Sequence, residues 1–305
     1  MPLTTYQQFY AQYDVAIRSG ADEATAAGLR WVAGVFPAII IPVIIVAGLL
    51  LAWGLLDKGR IFQYGGRAAI VIYLVISQAF VPIVRDNIID GVPNEIASAI
   101  NGNGSRITAV EQFDRLDQAS GYFTARVLGQ ATGISQIGNK IAAWAARGFQ
   151  KFFLEATFVI WMGVRMLTHI AVALLAFSLV FLLMQSTSQW VMEQLGKIIG
   201  LLSWQIAMSI LLKVMLTGTE VFLRETLVRG QGMSIEQQVD VCFDIAGWFF
   251  ACFVLVLMVP SIIGVGAGAA TSSLIASGAM VNAGRMFVNA ANKMGRAAHA
   301  MRRRR

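Results

Sequence analysis

Long apolar runs constrain this chain more than any other feature, because their lengths decide between a membrane span and a buried core. The first run, residues 31–56, is about 26 residues long, and ~20 suffice to cross the hydrocarbon of a bilayer as a helix. Pro37 and Pro42 lie inside it, and neighbouring helices can satisfy the backbone groups they free, so a kinked span is expected. A second run, residues 68–84, is near the short limit, with Arg67 at its entrance. The third begins at Phe152 and ends near Met184, too long for one untilted span. Because Glu155 and Arg165 fall in its first half, its lipid-embedded part is expected at residues 166–185, with the turns around Trp161 projecting above the surface. Residues 198–217 and 245–266 complete the set. The expected fold class is an all-α integral membrane protein of about five transmembrane helices.

Composition agrees. Charged residues make up 13% of the 305, about half the ~25% of an ordinary soluble domain. Mean hydropathy is +0.65. The two cysteines, Cys242 and Cys252, share one apolar run and read as small apolar side chains. Residues 1–28 are mixed polar, with Asp14, Asp22 and Glu23 and no basic leader, so the first span is expected to be retained. The sequence holds no phosphate-loop, zinc or Ser/His/Asp signature, and nothing in sequence pairs with His169 or His299. No enzymatic activity of its own and no cofactor are expected.

Short loops set the orientation. Lys58, Arg60 and Arg67 join spans one and two, Lys197 joins three and four, and Arg285, Lys293, Arg296, Arg302, Arg303, Arg304 and Arg305 form a basic tail. All are cytoplasmic if the N-terminus lies outside and the number of spans is odd. The chain then divides into an outer amphipathic segment (1–30), two spans (31–84), an outer helical loop (85–151), three spans (152–266) and a cytoplasmic tail (267–305). The tail would also attract anionic lipid headgroups, at ~1 kcal/mol per basic residue.

The outer loop opens with "VPNEIASAINGN", residues 92–103. Asp90 is placed to cap a short helix with Pro93 in its first turn, and Ile96 and Ile100 share a face. Ile107, Val110, Phe113 and Leu116 mark a second amphipathic helix; Ile134, Ile137, Ile141, Trp144, Ala145 and Phe149 mark a third. Such faces must pack on each other, on the membrane or on a partner. Four charges, Glu155, Arg165, Lys213 and Asp244, come out near the outer interface. They are either functional or structural, with Lys213 paired to Asp244 in the structural case. His169, one turn from Arg165, either relays protons or bonds a neighbouring helix. Gly264, Gly268, Ser272 and Ala276 recur every fourth residue, a stripe that lets helix backbones approach, between subunits or within one chain.

These residues carry a resemblance. The layout, "VPNEIASAINGN" after the second span, Val259-Pro260-Ser261 before a Gly/Ala-rich stretch, and Trp190 after the third long run are similar to the TrbL/VirB-type polytopic inner-membrane protein of type IV secretion systems. Residues 173–180 lack the Gly-Pro often found there in that family. The resemblance implies a multi-pass protein of a bacterial inner membrane, N-terminus periplasmic and C-terminus cytoplasmic. It implies a channel or assembly role in pilus biogenesis and in transfer of DNA or effector protein. Pilus subunits, minor pilus proteins, secretion ATPases and further copies of the chain would be its partners, with transient contact to the translocating substrate. The periplasmic loop, through Pro93, Asn94, Glu95, Ile96, Ile100 and Trp144, would make those contacts. The competing expectation is a small-solute or proton-coupled carrier built on His169, Arg165 and Asp244.

Overall fold

A computed structural model describes residues 5–54, 58–101, 108–131, 136–183, 185–229 and 233–263, all helices and short connections with no strand among them. The protein is an all-α, multi-pass membrane protein. Four helices are long and apolar enough to cross a bilayer: Tyr6–Ala52, Ile137–Leu183, Thr187–Glu225 and Ile235–Val259. A further pair, Phe62–Ile76 and Val81–Ile100, is bent by 84°, the geometry of a broken span or a re-entrant loop; counted as one span it makes five. The run at 68–84, expected as one span, is therefore interrupted in its middle, at Ser77 and Gln78. The expected small-residue stripe (Gly264, Gly268, Ser272, Ala276) and the basic tail (Arg302 to Arg305) lie outside the described residues.

The first helix, α1 (Thr5–Ala52), passes Pro37 and Pro42 and the division between residues 30 and 31 without a break. Its inward face repeats every eleven residues: Tyr6, Tyr10 and Asp14, then Ile17, Ala21 and Thr25, then Gly28, Val32 and Phe36. Eleven residues in three turns is close to the natural helical pitch, so this face stays aligned with a neighbour over a long distance. The neighbour is α5 (Ile137–Ser178), which runs in the same direction. Tyr6 packs on Phe158 with ring centroids 5.0 Å apart, Tyr10 on Trp161 at 5.7 Å, and Gly28 on Phe177. A Cβ on Gly28 would lie 2.9 Å from the Phe177 ring, so glycine is what admits that ring. Beyond Phe36, α1 touches little: Ile41, Ile44, Ile45 and Val46 are all more than half exposed. That end pairs with α2 (Lys58–Ile76), which brings Val71 and Val75 against Val32 and Phe36.

After α2 the chain turns at Gln78, whose φ of 55° is left-handed and costs a non-glycine residue ~1–3 kcal/mol. It then winds as a π-helix (Val81–Gly91) that passes directly into α3 (Val92–Asn101), which lies on α6 (Gln185–Arg229). Next comes α4 (Ala109–Gln130), packed against α1, α5, α6 and α7 (Ile235–Ile263). A capping box starts it: Glu111 N–H donates to Thr108 Oγ1 at 3.3 Å, and Thr108 N–H donates to Glu111 Oε2 at 3.1 Å. Thr108→Ala should cost ~1 kcal/mol, read as a lower thermal midpoint in detergent, while Glu111→Gln, which keeps the box, should cost less. Ser234 and Gln237 form the same device at α7.

Of the second stripe, Val110, Phe113 and Leu116 are buried against the bundle, and Ile107 lies outside the described residues. The stripe Ile137, Ile141 and Trp144 is not buried: it faces outward, and Trp144 is 74% exposed. The inward side of that part of α5 is Ala143, Ala146, Gln150 and Phe153. Small alanines let neighbouring helices approach there. Ile137, Ile141 and Trp144 are thus left for the membrane or a partner, Phe149 packs against the bundle, and Ile134 lies outside the described residues.

Candidate functional site: a polar layer between two cores

The buried apolar side chains form two separate clusters. On α5 the upper one ends at Met162 and the lower one begins at Val172; on α6 the lower ends at Leu202 and the upper begins at Trp204. Between them lies a polar layer: Arg165, Thr168 and His169 of α5, Asp14 and Arg18 of α1, Asp90 of the π-helix and Gln205 of α6.

Arg165 is the centre. Its Nε donates to Asp14 Oδ1 at 2.8 Å and its Nη2 to Asp90 Oδ1 at 3.2 Å. Its guanidinium sits 5.5 Å over the Tyr10 ring. Arg18 donates to the other oxygen of Asp90. Farther along α1, Asp22 pairs with Arg85 at 2.9 Å. Two guanidinium groups thus face two carboxylates at the core of the layer, and the planar fork of arginine lets one side chain serve two acids. One helical turn on, Gln205 Nε2 donates to Thr168 Oγ1 at 2.8 Å, and Thr168 donates to the Val164 carbonyl. His169 is 3% exposed, and among the described residues its Nε2 meets no acceptor or donor.

Asp90 does not cap a helix. The helical chain runs on through it, and its carboxylate is taken by two arginines from elsewhere. The four charges expected at the outer interface do not form one set. Arg165 is buried, Glu155 is exposed and 3.7 Å from Lys151, Asp244 is exposed and Lys213 half-buried. Among the described residues no ion pair joins Lys213 to Asp244. Of the loop residues, Pro93 is buried, Asn94 and Glu95 are exposed, Ile96 and Ile100 are half-buried against the fold, and Trp144 stands apart on α5. Sequence reasoning passed over Asp14, Arg18, Asp22, Arg85 and Asp90 as a group. The available signal was the spacing: Asp14, Arg18 and Asp22 alternate in sign at every fourth residue, one face of a helix.

No family model matches the chain, and no curated protein shows significant similarity to it. Among the described residues no three His, Cys, Asp or Glu side chains converge as a metal site. The layer's charges are spent on one another. What it can do chemically is hold α1, α5 and the π-helix in register.

Proposed function

We propose that the chain is an inner-membrane assembly or channel subunit of a type IV secretion system, supporting pilus assembly and the transfer of DNA or effector protein. One observation carries the assembly part of this reading: the apolar exterior is too tall for lipid alone. Exposed Ile137, Trp144, Phe152, Val159, Ile170 and Phe177 follow one face of α5, with exposed Lys151 and Glu155 on the same face. At 1.5 Å per residue that face is ~60 Å long, and the hydrocarbon core is ~30 Å thick. Tilt would have to reach about 60° to submerge it, beyond the 0–40° that membrane helices adopt. The end of the face beyond Lys151 and Glu155, with Ile137, Ile141 and Trp144 exposed, is the proposed protein contact in a larger complex. The secretion part rests on the resemblance of residues 92–103, 259–261 and Trp190. Pilus subunits, minor pilus proteins, secretion ATPases and further copies of the chain are the proposed partners, with the N-terminus periplasmic.

The carrier alternative is less well supported, because Arg165 is tied to Asp14 and Asp90 while Asp244 is exposed on α7. The test is an in-frame deletion in the native host, scoring plasmid or effector transfer. Transfer should fall to background and return with the intact chain, with the other secretion subunits still accumulating. Transfer unchanged by the deletion would overturn the proposal.

A further inference from the structure

Beyond Glu155 the only ionisable side chains on α5 are Arg165 and His169, and both are buried. Over residues 156–183, 28 in all, the outside of α5 is therefore uncharged. A bilayer core takes ~20 residues of a helix, so wherever it is set within this stretch, residues 164–175 fall inside it. The exposed side chains there suit that depth: Met166, Leu167, Ile170 and Leu174. Contacts carry the same depth to two other elements. Arg165 meets Asp14 and Phe177 meets Gly28, so residues 14–28 of α1 run beside residues 165–177 of α5. Arg85 meets Asp22 and Asp90 meets Arg18, so the π-helix lies at that depth too.

The outside of these two elements is of another kind. Between Tyr13 and Trp31 the one large apolar side chain exposed on α1 is Val15. Ser19, Gly20 and Glu23 are exposed there, and Arg18 and Asp22 each leave 37% of the side chain open. On the π-helix, Asp86 and Asn87 are exposed beside Ile88. Ionisable groups at hydrocarbon depth face either the interior of a protein or a water-filled cavity. Long lysine and arginine stems can snorkel to the surface, which the short aspartate and glutamate side chains do less well. Among the described residues Glu23 has no ion pair, and Asp86 reaches only Arg85, at 3.8 Å. A neighbouring protein would have to supply a cation for each, whereas water solvates both.

We propose that Ser19 to Glu23 of α1, with Asp86 and Asn87 of the π-helix, face water inside the membrane. They form one wall of an aqueous passage whose other walls are further subunits, while α5 turns its apolar face to lipid at the same depth. The wall is a matter of depth and exposure and stands whether or not the chain serves in secretion.

Thiol accessibility tests it in membranes of the native host, with the full chain and its neighbours present and Cys242→Ala and Cys252→Ala as background. Ser19→Cys and Asn87→Cys sit on the wall; Ile170→Cys and Leu174→Cys sit at the same depth on the apolar side. A thiol reacts as its thiolate, which hydrocarbon suppresses. A charged, water-soluble methanethiosulfonate should therefore modify both wall cysteines faster than either control, by about tenfold or more. All four should label alike after denaturation in SDS. Slow labelling at all four sites in the membrane would overturn the proposal, because lipid or another protein would then cover the wall. Fast labelling at all four would overturn it too, because the whole belt would then stand in water. If the alanine background does not accumulate, the native cysteines are kept, since both are fully buried, and the chain with no added cysteine serves as the blank.

Discussion

Arg165→Met should destabilise the protein by ~3–5 kcal/mol, the usual result of removing one partner from a buried ion pair. The loss is large because of what remains. Asp14 and Asp90 have side chains only 12% exposed, and both spend an oxygen on Arg165. Without the guanidinium, Asp14 is left as a buried charge that has lost its strongest partner. The Tyr10 ring also loses the cation above it. The thermal midpoint in detergent measures the effect. Replacing the whole set with Arg165→Met, Asp14→Leu and Asp90→Leu should recover most of the stability, because apolar side chains of similar volume carry no desolvation penalty. Arg18 stays tolerable in that variant because its side chain is 37% exposed. A triple variant no more stable than Arg165→Met would show that the layer is not held by these charges.

Gly218→Ala should cost ~1–3 kcal/mol, the range for forcing atoms into a packed interior. The added Cβ would stand 2.5 Å from Trp248 Cζ2. An indole cannot bend aside as the end of a lysine can, so either the ring or the α6–α7 spacing must shift. Combining Gly218→Ala with Trp248→Leu should relieve the clash, and the double-mutant cycle should return a coupling of ~0.5–3 kcal/mol for residues in contact. Additive losses would mean that Gly218 matters for its backbone and not for its missing side chain.

The helices were legible because long apolar runs have one physical use, and so was the buried stripe Val110, Phe113 and Leu116. The bend at Gln78 has a local signal in Pro82, whose missing N–H leaves the Gln78 carbonyl without its helical partner, but what fastens the far arm was not legible. Its fastening comes from Asp22, 56 positions earlier, and from Arg165, far later, and a window of local sequence holds neither. For the helix around Trp144, periodicity reports only that the helix is two-sided. It does not report whether the larger or the smaller side chains face inward. Here Ala143 and Ala146 do. Asp90 before Pro93 has the form of a cap, and two distant arginines claim it instead.

The pairing of α1 with α5 also bears on how the protein is made. Asp14 and Arg165 are separated by 151 positions in the chain. At ~5–20 residues per second of synthesis, the first helix waits on the order of 10–30 s before its guanidinium partner leaves the ribosome. During that interval Asp14 has to be sheltered beside the insertion machinery or held at the aqueous face of the bilayer. α5 then docks sideways onto a helix that was inserted first, and α6 and α7 are made after both.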